Sequence, residues 1–334
     1  MIQCITYMES KQTSPYRNLA IEEYLLKSVL QEECILYLWQ NKNTVVIGRN
    51  QNAWKECLVH KLQDEGGQLV RRLSGGGAVF HDLGNLNFTF LVRKENYDLE
   101  KQLQVILIAV QKLGMKAEKS GRNDILIDGR KFSGNAFYET KQHCYHHGTI
   151  MVHVNISDLS KYLTVSKEKL KSKGVDSVKS RVTNLSDYKT QVTIEDVKEK
   201  MLEAFQEVYS LKAHILKEES LDQEMIQKGT QWFASWEWIF GRKIEFQQEL
   251  SHQFSWGNLV LQFQIQKGSI QDVEVYSDAM DPEGIRLIST SLRSCKYEKK
   301  AICQILELVQ EQVKAESKEE ILRDVRAWFM EIDI

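Results

Sequence analysis

Residues 71–85 read RRLSGGGAVFHDLGN: two arginines, three consecutive glycines, a short apolar run and a His-Asp pair. Glycine lets a ligand approach the backbone closely, and several amides pointing into one concavity bind phosphate or carboxylate oxygen. Arg71 and Arg72 add permanent charge and forked donors suited to phosphate. The stretch reads as an anion cradle or, taken alone, as a flexible hairpin loop with surface arginines. The P-loop spacing Gly-x-x-x-x-Gly-Lys-Ser/Thr is missing, and no Gly-x-Gly-x-x-Gly opens a helix. A strand follows instead: LNFTFLV alternates Leu86, Phe88 and Phe90 with Asn87 and Thr89, which predicts a half-buried strand.

Outward from this stretch the pattern is mixed. A first strand covers Ile2 to Met8, and NLAIEEYLLKSVL places Leu19, Ile21, Leu25, Leu26 and Val29 at near-helical spacing with acids on the other side. ILYLW and TVVIGR, separated by Asn-Lys-Asn, predict two paired strands. LEKQLQVILIAVQKLG predicts a helix capped at Gly114. ILIDGRKFSGNAFY carries an Asp-Gly hairpin turn and presents Lys131 just beyond it. HHGTIMVHVNI predicts a strand with Ile150, Val152, Val154 and Ile156 on one face. TIEDVKEKMLEAFQEVY opens on a capping box and buries Val197, Met201, Phe205 and Val208. From about residue 245 short strands (LVLQFQI, DVEVY) precede helices, the last opening at Ser317.

The 334 residues suggest two domains, with a break near residues 243–249. Lys+Arg (44) and Asp+Glu (46) nearly cancel, so no global footprint for a long nucleic acid exists and any anion is bound locally. The amino terminus lacks a signal-peptide pattern, and no run approaches the roughly 18 apolar residues of a membrane span. Cytoplasmic residence and no membrane partner are the expectations. The six cysteines show no metal-like spacing and read as reduced thiols.

A second segment, GRNDILIDGRKFSGNA at 121–136, adds candidate chemistry. A lysine on a hairpin can meet a carboxylate and a phosphate together, although by itself such a residue is more often a solvated hairpin lysine. Asp124 suits the Mg²⁺ that accompanies a nucleotide, and Ser133 and Gly134 offer further donors. HHGT at 146–149 and SRVTNL at 180–185 read by themselves as strand-end polar residues and a surface loop.

Taken in order, RRxSGGGAVFHDLGN, GRND, Lys-Phe-Ser-Gly-x-Ala, HHGT and SRVTNL resemble the catalytic domain of the lipoate–protein ligase family, of the bacterial two-domain type. NLAIEEYLL and TVVIGRNQNAWKEC extend the resemblance toward the amino terminus. WEWIFGRKIEF, FSWGNLVLQF and KGSI resemble the family's accessory domain. Arg17 and Ala53 depart from the common pattern, and Tyr138 stands where some relatives carry arginine, so no anion contact is carried over from position 138.

The resemblance implies an α/β (α+β) fold: a mixed sheet flanked by helices, similar to class II synthetases and biotin–protein ligases, with a small α+β carboxy-terminal domain. It implies a catalytic domain over residues 1–244 and an accessory domain over 249–334. The implied reaction activates lipoate with ATP to lipoyl-AMP, then transfers the lipoyl group to a lysine of a carrier domain. Carriers would be the E2 component of 2-oxoacid dehydrogenases or the glycine cleavage H protein. By similarity Lys131 is catalytic, touching both the acyl oxygen and the α-phosphate. Arg72, Gly75, Gly76, Gly77, Ala78, Val79, Phe80, Asp124 and Ser133 would hold the nucleotide, with Asp124 on its magnesium. Leu19, Val46, Gly77, Val79, His147 and Gly148 would line an apolar lipoate pocket, and Ser74, His81 and Asn85 stand behind them. ATP with Mg²⁺ and lipoate are substrates, no permanently bound cofactor is expected, and a monomer is the simplest assembly. Two other readings stay open: an octanoyl or lipoyl transferase working through a Cys144 thioester beside His143 and His146, and a non-catalytic nucleotide or lipoate sensor.

Overall fold

The computed structural model describes residues 1–121, 124–164, 181–241, 244–332 and 334. Arg122 and Asn123 of GRND and Ser180 of SRVTNL lie outside the described residues. The chain divides into two units. Met1–Val46, Glu56–Arg71 and Ala78–Ile239 form the first, and Ile47–Lys55, Arg72–Gly77 and Phe240–Ile334 form the second.

In chain order the elements up to the middle of the sequence are β1 (Cys4–Glu9), α1 (Pro15–Ser28), β2 (Glu33–Trp39), β3 (Thr44–Ile47), α2 (Ala53–Glu56), α3 (Val59–Asp64), β4 (Gln68–Arg71), β5 (Val79–His81), β6 (Asn85–Arg93), α4 (Leu99–Lys112), β7 (Glu118–Ser120), β8 (Asp124–Ile127), β9 (Arg130–Glu139) and β10 (His143–Met151). Then come α5 (Ile156–Tyr162), α6 (Ile194–Tyr209), β11 (Ala213–Ile215), α7 (Gln223–Phe233) and α8 (Trp236–Phe240).

An eight-stranded sheet, ordered β11-β1-β2-β6-β10-β9-β8-β7, organises the first unit. β1 runs parallel to β2 and β11, and the remaining pairs given by register are antiparallel. α4 packs against α6, and the core beneath them takes Leu36, Phe88, Phe90 and Val92 from the strands. α6 forms because Thr193 and Asp196 cap each other's backbone and because Val197, Met201 and Phe205 recur on one face, all fully buried. Each such side chain contributes about 1.5–3 kcal/mol of burial before ordering entropy is set against it. α4 ends as its glycine predicts, with Gly114 at φ +87°.

Three expectations change. β2 and β3 do not pair: β1 and β6 already occupy both edges of β2, and β3 joins a separate sheet ordered β4-β3-β5. β6 is buried on both faces from Asn85 to Val92, because α1 packs on the side opposite the α4–α6 core. Its Asn87 and Thr89 are therefore interior rather than solvated. β10 stops at Met151, and Ile156 opens α5 instead of continuing the strand.

The second unit's carboxy-terminal part has its own sheet, β12 (Gln248–Phe254), β13 (Gly257–Gln266) and β14 (Ser269–Ser277), all antiparallel neighbours. α9 (Pro282–Leu292), α10 (Lys299–Gln312) and α11 (Glu316–Glu331) pack on one another, and α9 lies on β14. Leu261, Phe263, Val273, Ile288, Ile302, Leu306, Leu322 and Phe329 fill this core.

Candidate active site

The β8–β9 hairpin turns through Asp128 (φ +48°) and Gly129 (φ +74°), the two left-handed residues that an Asp-Gly hairpin requires. Two residues later the Lys131 ammonium meets Asp124 Oδ1 at 2.7 Å, with both side chains about one-third exposed. The Lys131 backbone is fixed on both sides: its N–H donates to Arg181 O and its carbonyl accepts from Thr183 N–H. A Cβ on Gly134 would lie 2.9 Å from Lys131 Nζ and 3.0 Å from Cε, so the missing side chain is what makes room for the lysine. Ser133 is fully buried, and its hydroxyl has no hydrogen-bond partner among the described residues.

β10 lies beside β9. Gly148 is crowded from three directions, because a Cβ there would come 2.6 Å from Gly134 O, 2.6 Å from the Phe88 ring and 2.9 Å from Asn135 Oδ1. His147 stands opposite Thr89 of β6, and its Nδ1 is 2.8 Å from Glu22 Oε1 of α1. Thr89 Oγ1 donates to the same oxygen at 2.7 Å. Glu22 is a residue that the sequence reading put on the outer, acidic face of its helix; it is 1% exposed. Only its position three residues from Leu19 and Leu25 hinted otherwise. Asn85 opens β6 and donates its amide to Asn87 Oδ1.

The small sheet carries a second group. Val46 pairs with Val79, and Thr44 with His81. Phe80 is buried with its ring 5.2 Å from that of Tyr162. His81 Nδ1 lies 3.3 Å from Asn41 Nδ2, at the end of a buried chain running through Asn18 to Tyr37. Leu19, on α1, is buried, and Ala78 is half-buried.

The glycine loop differs from the open cradle expected. Arg71 is turned away from it: Nε donates to Trp238 O at 2.9 Å and Nη2 to Ile239 O at 2.5 Å, while Trp238 Nε1 donates back to Arg71 O. The charge caps the carbonyl end of α8, where a cation is favoured. In the second unit Arg72 folds onto its own loop, donating to Ser74 Oγ, Gly75 O and Gly77 O at 2.7–3.0 Å. Gly75 and Gly76 are covered rather than exposed. Gly76 N–H donates to Ala279 O, and a Cβ on Gly75 would fall 2.2 Å from that same oxygen. Close backbone packing thus explains these two glycines, and Gly77 alone of the three is exposed, with nothing near its Cβ position.

Cys144 is a core residue whose thiol is pushed up to about 12 by burial and by Glu139. Neither neighbouring histidine is suited to activate it. His143 Nε2 lies 2.6 Å from Arg93 Nη1, and burial and that guanidinium lower its pKa. His146 is fully buried, bonded through Nε2 to Asn135 Oδ1, and burial drives it down to about 3.

The family profile for the lipoyl protein ligase A/B catalytic domain matches residues 14–206, and the profile for the bacterial lipoate protein ligase C-terminus matches residues 243–324. The chain belongs to the lipoyl protein ligase family. Its similarity to a lipoate-protein ligase A of Psychrobacter cryohalolentis is 40% identity over 300 residues, covering 87% of this chain and 88% of the relative. Among solved structures, P. falciparum LipL1 in complex with lipoate superposes with a TM-score of 0.86 at 28% identity, covering 98% of this chain and 100% of that one. A bi-partite lipoate protein ligase of Thermoplasma acidophilum, described with its E2 lipoyl domain, gives 0.64 at 26% identity over 73% of this chain and 99% of that one.

Proposed function

We propose that the chain activates lipoate with magnesium-ATP to lipoyl-AMP and then passes the lipoyl group to a lysine of a carrier domain. Family membership and the lipoate-bound relative support the substrate; the relative described with its E2 lipoyl domain supports the class of acceptor. The observation that carries the reading is Lys131, an ammonium held on a rigid hairpin by Asp124 with Gly134 emptied beneath it.

The chemistry needs such a group. A carboxylate resists attack by an amine because it is anionic and lacks a leaving group, whereas a mixed anhydride with AMP supplies one. Forming that anhydride brings a carboxylate oxygen against an α-phosphate, two anions that repel strongly in a partly dry site. In this reading Lys131 sits against both and stabilises the charge building at phosphorus without becoming a nucleophile. Arg72, Gly75, Gly76, Gly77, Ala78, Val79, Phe80 and Ser133 hold the nucleotide, chiefly through the exposed Gly77 end of the loop. Asp124 receives the magnesium that the nucleotide carries. A single carboxylate fits an ion that is otherwise held by phosphates and water, and among the described residues no group of three or more His, Cys, Asp or Glu could hold a metal alone. Leu19, Val46, Gly77, Val79, His147 and Gly148 line the site of the apolar lipoyl chain, backed by Ser74, His81 and Asn85.

Residues 1–244 carry catalysis in this reading and 249–334 form the accessory domain. The acceptors are E2 lipoyl domains of 2-oxoacid dehydrogenases and the glycine cleavage H protein, and the enzyme works in the cytoplasm as a monomer. No helix among the described residues is long and apolar enough to cross a membrane. The thioester alternative is disfavoured by the buried, high-pKa Cys144. Lipoate-dependent exchange of labelled pyrophosphate into ATP tests the proposal. Exchange is expected, and its absence with folded protein and magnesium present would favour the sensor or the transferase instead.

A further inference from the structure

We infer that Asn184 is a positioning residue for Lys131, holding residues 181–183 against the lysine's backbone; this rests on the activation step proposed above. The register of β9 with β10 runs from Glu139 opposite Cys144 to Asn135 opposite Gly148, and Lys131 lies past its end. On the other side Leu126 of β8 faces Lys131, but the Lys131 N–H and carbonyl both point away from β8. Their partners come from residues 181–183. Lys131 N–H donates to Arg181 O at 2.7 Å, Thr183 N–H donates to Lys131 O at 2.9 Å, and Val182 bridges Lys131 in parallel. Arg130 Nη2 adds a bond to Val182 O at 2.8 Å. This short segment therefore replaces the strand neighbour that β10 no longer supplies.

So short an edge needs an anchor, and Asn184 provides it. Its Oδ1 accepts from Val154 N–H at 2.9 Å and its Nδ2 donates to Val154 O at 3.0 Å, so both halves of the amide are spent on one backbone residue past the end of β10. A carboxamide carries donor and acceptor on one planar group, which is what a backbone N–H and carbonyl together demand. Asn184 is 8% exposed and Thr183 is fully buried, so losing these bonds leaves polar groups without water to replace them. Asp187 closes the turn: its Oδ2 accepts from Asn184 N–H at 3.0 Å and from Thr183 Oγ1 at 2.8 Å. Ser186 N–H donates to Val152 O at 2.9 Å. The end of β10 thus fixes Asn184, Asn184 fixes residues 181–183, and these fix Lys131.

Placement matters because the ammonium occupies the room left by Gly134, with Asp124 at 2.7 Å. A fixed charge stabilises the developing charge at phosphorus only from the right spot, and a displacement of about 1 Å can cost about 100-fold in rate. Asn184 acts through the Lys131 backbone and touches no substrate, so its loss lowers kcat and leaves substrate binding intact.

The test compares wild type with Asn184→Ala, Thr183→Val and Thr183→Ser. One measurement is hydrogen–deuterium exchange at the Lys131 and Thr183 amides; the other is kcat and KM of lipoate-dependent pyrophosphate exchange. In Asn184→Ala both amides should exchange about 10-fold faster, while the Asn135–Glu139 amides of β9 keep their wild-type protection. Its kcat should fall about 10- to 100-fold with the KM for lipoate and for ATP within about twofold of wild type. Thr183→Val, which loses the hydroxyl bond to Asp187, should move both readings the same way, and Thr183→Ser, which keeps it, should restore them. Unchanged protection at Lys131, or a raised KM at unchanged kcat, would overturn the role. Loss of protection spread evenly along β9 would do so too, because it marks general destabilisation. If Asn184→Ala does not fold, the Thr183 pair decides by the same readings. A wild-type protein without lipoate-dependent exchange would sink the proposed activation step, and the amide measurement would still decide whether Asn184 fixes the Lys131 backbone.

Discussion

His146 shows how one buried side chain can report on the protein's response to acid. Its Nε2 is bonded to Asn135, and Nδ1 has no hydrogen-bond partner among the described residues, with the rings of Phe88, Phe90 and Phe137 around it. A proton there would have no acceptor, which is why burial holds the group down at about 3. The unfolded chain's imidazole takes its proton near 6.5, so between those values unfolding is favoured by protonation. The stability that depends on a neutral His146 is whole above about pH 6.5 and is lost as pH falls toward 3, with a slope of up to about 1.4 kcal/mol per pH unit. Urea unfolding at pH 7 and pH 5 should show this slope, and His146→Gln should flatten it. Arg71 gives a second residue-level expectation. Its guanidinium donates to the Trp238 and Ile239 carbonyls of α8, so Arg71→Lys, which loses the fork, should cost about 1–3 kcal/mol in denaturation. Cys144→Ser should leave exchange almost unchanged, and loss of turnover would revive the thioester route.

Among elements, those set by local chemistry were the ones legible in the sequence. The Asp-Gly hairpin, the Gly114 cap and the Thr193–Asp196 capping box each depend on a few adjacent residues, and each forms. What sequence could not supply was the partner on the other side. LNFTFLV alternates as a one-sided strand, yet α1 covers its second face and turns Asn87 and Thr89 inward. Glu22 reads as a surface acid until its strand partners are known. The same holds for the glycines: their number was visible, but only the fold shows that a Cβ on Gly75 would meet a backbone carbonyl while one on Gly77 would meet nothing. Gly75→Ala must therefore displace backbone and should lower the melting temperature, whereas Gly77→Ala should not. Gly148→Ala, pressed against a ring and a carbonyl, should destabilise by about 1–3 kcal/mol. Gly134→Ala meets only the flexible end of Lys131, so the protein should stay folded while exchange activity falls.

At the scale of the whole molecule, two cores support two units, and the motif order along the chain was enough to indicate the family. Motif order says which segments matter; it does not say that Ile47–Lys55 and Arg72–Gly77 cluster with the carboxy-terminal residues, because that grouping arises from contacts far apart in sequence. The chemical account nevertheless rests on one ammonium. Lipoate-dependent pyrophosphate exchange in Lys131→Ala measures it most directly. With the circular dichroism and melting profile of the folded protein retained, exchange should disappear; exchange near the wild-type rate would contradict the role assigned to Lys131.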